Sequence, residues 1–371
     1  MLIEVGRSLH YSDQLVVDLG HLEFVQGMLG ELGIQHATLG PDDQDELLGL
    51  ARLRDLTDDV GSDLDVGEIL AMLQQKAAAQ RDGLVPVMGK NRVVEGVIGE
   101  SHKPMDGGYP EPAEASQLPD VSMIPPDAGR GVRVGLVDTP PAAPQPGTPE
   151  NPLPYRAGHA EFVASLIRRQ APAAEIHIEG VLDPKTGRAD SWDTARAILR
   201  LVTIRQLDIL NLSLGCYAPN GPPLVINRAI ERLGSRVLVI AAAGNHGEFL
   251  HLTAGRTRHS CSWPAGIPPT TAVGSVDAEG NTAPFSPRAS WVTCTTLGVD
   301  VVGSYLRGEV QIGAGTRHFD GLAQWSGTSF SAATVSGAVA ARTVPGSVPP
   351  RQALADLLTN ATLVRPFTDG S

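Results

Sequence analysis

From residue 132 onward, short apolar runs alternate with longer stretches of helical spacing. Residues 132–137, 175–182, 209–214, 237–242 and 271–276 read as strands, and 159–169, 191–206 and 222–234 as helices between them. Apolar strands buried on both faces and separated by helices predict a parallel sheet in a three-layer α/β sandwich. Residues 327–341 are almost wholly small, which predicts a helix thin enough to lie at the centre of that fold.

The first hundred residues keep a different rhythm. Residues 14–19 read as a strand, and 22–32 as a helix with Phe24, Val25, Met28 and Leu29 on one side. Two strands, 34–39 and 47–53, flank an Asp-rich turn that includes Asp42, Asp43 and Asp45. A second helix, 66–79, carries Ile69, Leu70 and Leu73, and 84–87 reads as a last strand. Strand, helix, strand, strand, helix, strand is the ferredoxin-like α+β order. Residues 101–130 hold six prolines and little periodicity, so they read as a linker. The expected division is 1–100, 101–130 and 131–371.

Four polar residues stand where these elements begin or end. Asp138 closes the 132–137 run, and His159 opens a helix. Asn245 follows Gly244 just after the 237–242 strand. Ser329 follows Gly327-Thr328 at the head of the small-residue helix. Backbone N–H groups and the dipole there favour a developing anion. Alone, each has a plain reading: a turn, a surface histidine, a bend, a well-packed helix.

Together, in the order Asp, His, Asn, Ser, they resemble the subtilisin-like serine peptidases, whose triad runs Asp, His, Ser along the chain. The resemblance covers roughly residues 131–345. It includes the run 209–215, Trp263-Pro264-Ala265, the run 272–277 and Pro284-Phe285-Ser286. It implies a serine endopeptidase acting on peptides or proteins. Ser329 would be the nucleophile, His159 the base and Asp138 its orienting carboxylate. Asn245 and the backbone N–H of Ser329 would hold the oxyanion.

By the same resemblance, Ser213, Leu214 and Gly215 on one side, and Gly187, Arg188 and Ala189 on the other, would flank an extended peptide. Ala242, Ala243 and Gly244 would line the first side-chain pocket, with Ser262 near its base. Arg188 and Asp190 would either read charge further along or form surface salt bridges. Residues 1–100 resemble the propeptide of this family, an intramolecular inhibitor whose end, near residues 89–94, lies toward the cleft. Three positions depart from the family pattern: Ala160-Glu161 after the histidine, Pro140 after the aspartate and Ala333 after the serine. They leave room for two other readings, a slow or dead peptide-binding protein and a peptidase dedicated to one precursor peptide.

Charge is divided unevenly. Of a net −12, residues 1–120 hold 22 acids and 8 bases, while 121–371 hold 19 acids and 21 bases. Such a balance argues against a nucleic-acid partner and would help an acidic N-terminal part dock on a near-neutral remainder. No apolar stretch reaches about 18 residues, so no membrane span is expected. Residues 1–7 lack a basic segment followed by an apolar core, which points to a cytoplasmic protein, or a secreted one with its leader trimmed. The odd number of cysteines, Cys216, Cys261 and Cys294, suits a reducing compartment, and no spacing implies a metal or other cofactor.

The helix after His159 passes into Gln170-Ala171-Pro172 without the insertion that forms a calcium loop in many relatives. The unfolding temperature is therefore expected to ignore a calcium chelator. A large drop, reversed by calcium, would contradict this.

Overall fold

The computed structural model describes residues 2–5, 8–62, 64–80, 85–96, 108–142, 145–247, 257–360 and 363–367. The N-terminal unit comprises β1 (Leu2–Val5), β2 (Ser8–Asp18), α1 (Leu22–Glu31), β3 (Gln44–Asp45), β4 (Leu50–Leu53), α2 (Val66–Gln80) and β5 (Met88–Gly96). Its strands run β5-β2-β4-β3, all antiparallel, with β1 beside β2. This is the ferredoxin-like arrangement. Alternation along β2 serves both faces of the sheet. Leu15 and Val17 pack with Val25, Met28, Leu29, Ile69 and Leu73 of the two helices. Val16, between them, joins the opposite face with Leu48, Leu50 and Val94.

Two strands differ from the expectation. Residues 34–39 form no strand; Gln35 makes a lone bridge to Thr57, and the pairing strand is β3. Between them Pro41–Asp43 makes a single 3-10 turn. Its Asp43 carboxylate takes Arg54 Nε at 2.7 Å and Nη2 at 2.9 Å. That ion pair, with Asp43 buried and Arg54 half-exposed, ties the turn to the end of β4. The last strand begins at Met88 rather than at 84, which lies outside the described residues; Pro86, without an N–H, precedes it.

The chain continues through β6 (Glu111–Pro112), β7 (Arg133–Asp138), β8 (Leu153–Pro154), α3 (His159–Gln170), β9 (Glu175–Gly180), β10 (Arg188–Asp190), α4 (Ser191–Arg205), β11 (Ile209–Leu212) and β12 (Leu214–Gly215). It ends with α5 (Leu224–Leu233), β13 (Leu238–Ala242), β14 (Thr271–Val276), β15 (Cys294–Leu297), β16 (Val301–Ile312), β17 (Gly315–Trp325), α6 (Thr328–Arg342), α7 (Pro350–Asn360) and β18 (Arg365–Pro366). The central sheet runs β18-β15-β14-β13-β11-β7-β9, parallel except for β18. Helices α3, α6 and α7 cover one face, and α4 and α5 the other. The expected sandwich is present.

Small residues bring α6 close to α3. A Cβ on Gly337 would lie 2.8 Å from the Ile167 carbonyl oxygen and 3.0 Å from its Cα. Beside this sandwich, β6-β17-β16-β8 form a second sheet around a long hairpin. The hairpin was not expected, and neither was the pairing of β6 inside the predicted linker. That linker's residues 101–107 lie outside the described ones.

The two units share a buried junction. The sheet face carrying Val16, Leu48, Leu50 and Val94 packs on Trp192, Ala195, Leu199, Val225, Ile226 and Ala229 of α4 and α5. Asn91 of β5 is wholly buried there. Its Oδ1 accepts from Ser191 Oγ at 2.8 Å and from the Trp192 N–H at 3.1 Å, at the start of α4. Ion pairs ring the junction, Arg228 to Asp18 at 2.9 Å and Arg196 to Asp42 and Asp45 at 3.2 and 3.3 Å.

Candidate active site

Asp138 ends β7 and His159 opens α3, and both are buried. His159 Nδ1 stands 2.7 and 2.9 Å from the two Asp138 oxygens. An ionised carboxylate only accepts, so this contact puts a proton on Nδ1 and leaves the lone pair on Nε2. Nε2 is buried and makes no hydrogen bond among the described residues. Thr139 braces the pair. Its N–H donates to Asp138 Oδ1 at 2.6 Å, and its hydroxyl accepts from the Ala160 N–H at 3.2 Å. The imidazole ring lies 5.9 Å from Trp325 at the end of β17 and 5.8 Å from Phe330 of α6.

Ser329 is the second residue of α6 and is buried. Its Oγ donates to the Ser213 carbonyl at 3.3 Å, and Ser213 Oγ donates back to the Ser329 carbonyl at 3.2 Å. A buried polar chain supports this exchange. Ser336 Oγ donates to Asn211 Oδ1 at 3.0 Å, and Asn211 Nδ2 donates to Ser213 Oγ at 2.9 Å.

Asn245 approaches the same turn from the end of β13. Its Oδ1 accepts from the N–H and the hydroxyl of Thr328, each at 3.0 Å. That sets the amide orientation, and Nδ2 lies 3.3 Å from where a Cβ on Gly327 would be. Gly244 has φ +103, a conformation that favours glycine. A Cβ there would also meet His246 Nδ1 at 2.8 Å and Ser262 Cβ at 3.3 Å. Ala242, at the end of β13, and Ala243 and Gly244, just after it, are all buried. Ser262 sits beside Gly244, and its neighbour Trp263 pairs with Cys216 just beyond β12.

The expected flanking strands enclose a strand of this same chain. β5 pairs antiparallel with β10, Arg188 opposite Glu95, and with β12, Leu214 opposite Gly96 and Gly215 opposite Glu95. The Gly96 N–H donates to the Gly187 carbonyl at 2.8 Å. Sequence reading passed over Thr328, His246 and Asn91. Thr328 and His246 are next to residues it did choose, whereas nothing near Asn91 marks it.

The family model described as the Subtilase family matches residues 142–369. The chain belongs to the subtilase family. The matched span contains His159, Asn245 and Ser329; Asp138 stands just before it. Subtilisin E of Bacillus subtilis (strain 168) is 28% identical over 203 residues, covering 52% of this chain and 48% of that protein. Subtilisin Savinase of Lederbergia lenta is 30% identical over 193 residues, 49% of this chain and 62% of that protein. The chain thus spans about half the length of subtilisin E. Fervidolysin from Fervidobacterium pennivorans is similar in fold, with a TM-score of 0.61 at 17% identity over 95% of this chain and 58% of that one. The family and fold expected from the sequence are both borne out.

In this subtilase the Ala160 N–H meets Thr139 beside the Asp138–His159 pair, while the side chains of Glu161, Pro140 and Ala333 are engaged elsewhere. Glu161 points along α3 to Arg168 at 3.5 Å. Pro140 packs on Gly180, where a Cβ would meet it at 2.6 Å. Ala333 is fully buried inside an unbroken α6. Two of the three thiols, Cys261 and Cys294, are not poised for chemistry. Burial pushes Cys294 up to about 12 and also raises Cys261, opposite to what a nucleophile or metal ligand needs. Among the described residues no group of three His, Cys, Asp or Glu could hold a metal ion, and no helix is long and apolar enough to cross a membrane.

Proposed function

We propose that this subtilase is a serine endopeptidase that uses Ser329, His159, Asp138 and Asn245 and is held in check by its own residues 1–100. The observation that carries the reading is the buried His159–Asp138 contact, which leaves Nε2 as a base near the head of α6.

A substrate carbonyl would draw Ser329 Oγ away from the Ser213 carbonyl. The hydroxyl proton passes to His159 Nε2 as Oγ bonds to the carbonyl carbon. Asp138 stabilises the resulting imidazolium without taking its proton. The oxyanion forms between Asn245 Nδ2 and the Ser329 N–H, donors already oriented before reaction. His159 then protonates the leaving amine, and water repeats the sequence on the acyl-enzyme.

Fluorophosphonate labelling followed by peptide mapping tests this directly. The adduct is expected on Ser329; its absence would sink the reading. Asn245→Ala should keep the label and slow turnover by about 10²–10³, as when subtilisin itself loses such a donor. Turnover within about threefold of the parent would remove Asn245 from the mechanism.

Support for inhibition is the occupation of the cleft by β5, paired on both edges as a peptide would be. Residues 1–100 added in trans to the remainder should inhibit hydrolysis competitively. Inhibition should weaken with salt, because Arg196 and Arg228 meet carboxylates at the junction. A separate domain that neither binds nor inhibits at micromolar concentration would end this part of the reading.

A further inference from the structure

If the site is a peptidase as proposed, β5 shows which side chains its walls meet, and the selectivity inferred from those contacts rests on that reading. β5 runs toward the nucleophile. Gly96 pairs with Leu214, next to Ser213, whose carbonyl holds Ser329 Oγ. Glu95 and Gly96 therefore occupy two successive positions before the bond to be cut.

Residues directly opposite in an antiparallel pair share a face, and successive residues alternate. Glu95 shares one face with Arg188, and Arg188 Nε donates to Glu95 Oε1 at 2.8 Å. Gly96 shares the other face with Gly187. There a Cβ on Gly187 would meet Arg156 Cδ at 2.7 Å and Nε at 3.0 Å. Arg156 donates to the Lys185 carbonyl at 3.4 Å, and its guanidinium lies 4.5 Å from the centre of the Tyr155 ring. Arg156, Lys185, Tyr109, Tyr155 and Gln311 border a cavity of about 400 Å³.

Among the described residues neither Arg156 nor Lys185 forms an ion pair. The nearby Asp183 is engaged chiefly by the N–H groups of Thr186 and Lys185, at 2.7 and 3.0 Å, and its carboxyl also feels the Lys185 charge, which helps hold its pKa down. This edge of the cleft thus presents three cations, and the bound strand answers only one of them. Glycine at position 96 has no side chain with which to answer the other two.

We propose that this edge selects substrates with acidic side chains at two successive positions before the scissile bond. The acid at the place of Glu95 meets Arg188. The acid at the place of Gly96 enters the cavity and meets Arg156 and Lys185. The first contact is half-exposed, so its preference for Glu over Gln is about two- to fivefold. The second is charge-assisted and likewise reached by solvent, Lys185 being exposed, so its preference is of the same order, about two- to fivefold.

The test gives the full chain pairs of internally quenched peptides that differ only by Glu against Gln at one of the two positions. Fluorophosphonate labelling of Ser329 is followed in parallel. Faster cleavage of the Glu member at both positions is expected. Arg188→Glu should turn the first preference toward Lys, and Arg156→Gln with Lys185→Gln should flatten the second preference but not the first. A merely structural role would slow both members of a pair alike. Equal rates within pairs beside a labelled Ser329, including cleavage of neither member, would overturn the selectivity and leave the peptidase reading standing. Failure to label would overturn both.

Discussion

Ser329→Ala is expected to abolish peptide hydrolysis and probe labelling while the protein still folds. Loss of the nucleophile in subtilisin costs about 10⁶ in turnover, and the same order is expected here. Folding should tolerate the change because α6 is already a small-residue helix and alanine has the highest helix propensity. The main loss is the 3.3 Å bond from Ser329 Oγ to the Ser213 carbonyl, worth about 1 kcal/mol. Hydrolysis rates and thermal melts, taken together, separate lost chemistry from lost structure. A variant that cleaves at the parent rate would remove Ser329 from the mechanism.

Asp138→Asn should lower kcat by about 10⁴ through the tautomer of His159. The carboxylate now accepts from Nδ1 through both oxygens, at 2.7 and 2.9 Å. An amide can turn its NH₂ toward Nδ1, which moves the imidazole proton to Nε2 and leaves no base for Ser329. Shape is nearly conserved, and the Thr139 N–H can still find an oxygen, so the fold should hold. Steady-state kinetics with the ring nitrogen signals of His159 would read both effects. A fall of less than tenfold with an unchanged tautomer would show that Asp138 does not orient the base.

The four polar residues were legible because each ends an apolar run or opens a helix. Local spacing put each of them at the end of an element, and it was the resemblance to the subtilisin-like peptidases, through the order Asp, His, Asn, Ser, that grouped them. The long hairpin was not legible. Arg307, Glu309, Arg317, His318 and Asp320 interrupt its strands, so no apolar run marks them. Yet it delivers Trp325 against His159. Arg156 and Asn91 were missed for another reason: their partners, Lys185 and Ser191, are 29 and 100 residues away. Periodicity reports which face of an element is buried, not which distant element will cover it. The misplaced second strand near residue 34 shows the limit on a small scale: the run there makes only the Gln35–Thr57 bridge, while β4 takes β3 as its partner.

If residues 1–100 inhibit as proposed, the buried junction between the units would also govern timing. Asn91 and Trp192 are wholly enclosed at its centre, while the ion pairs stand toward its rim. Charges at a rim chiefly tune how fast partners meet; desolvated central contacts set how long they stay. If the chain is cut between the two units, the N-terminal unit should not leave with the cut. Departure must first bare an indole and strip the Asn91 acceptor from the Trp192 N–H. Cleavage and opening of the cleft would then be two events with separate clocks, and the residence time of the N-terminal unit would determine when a cut molecule begins to turn over substrate.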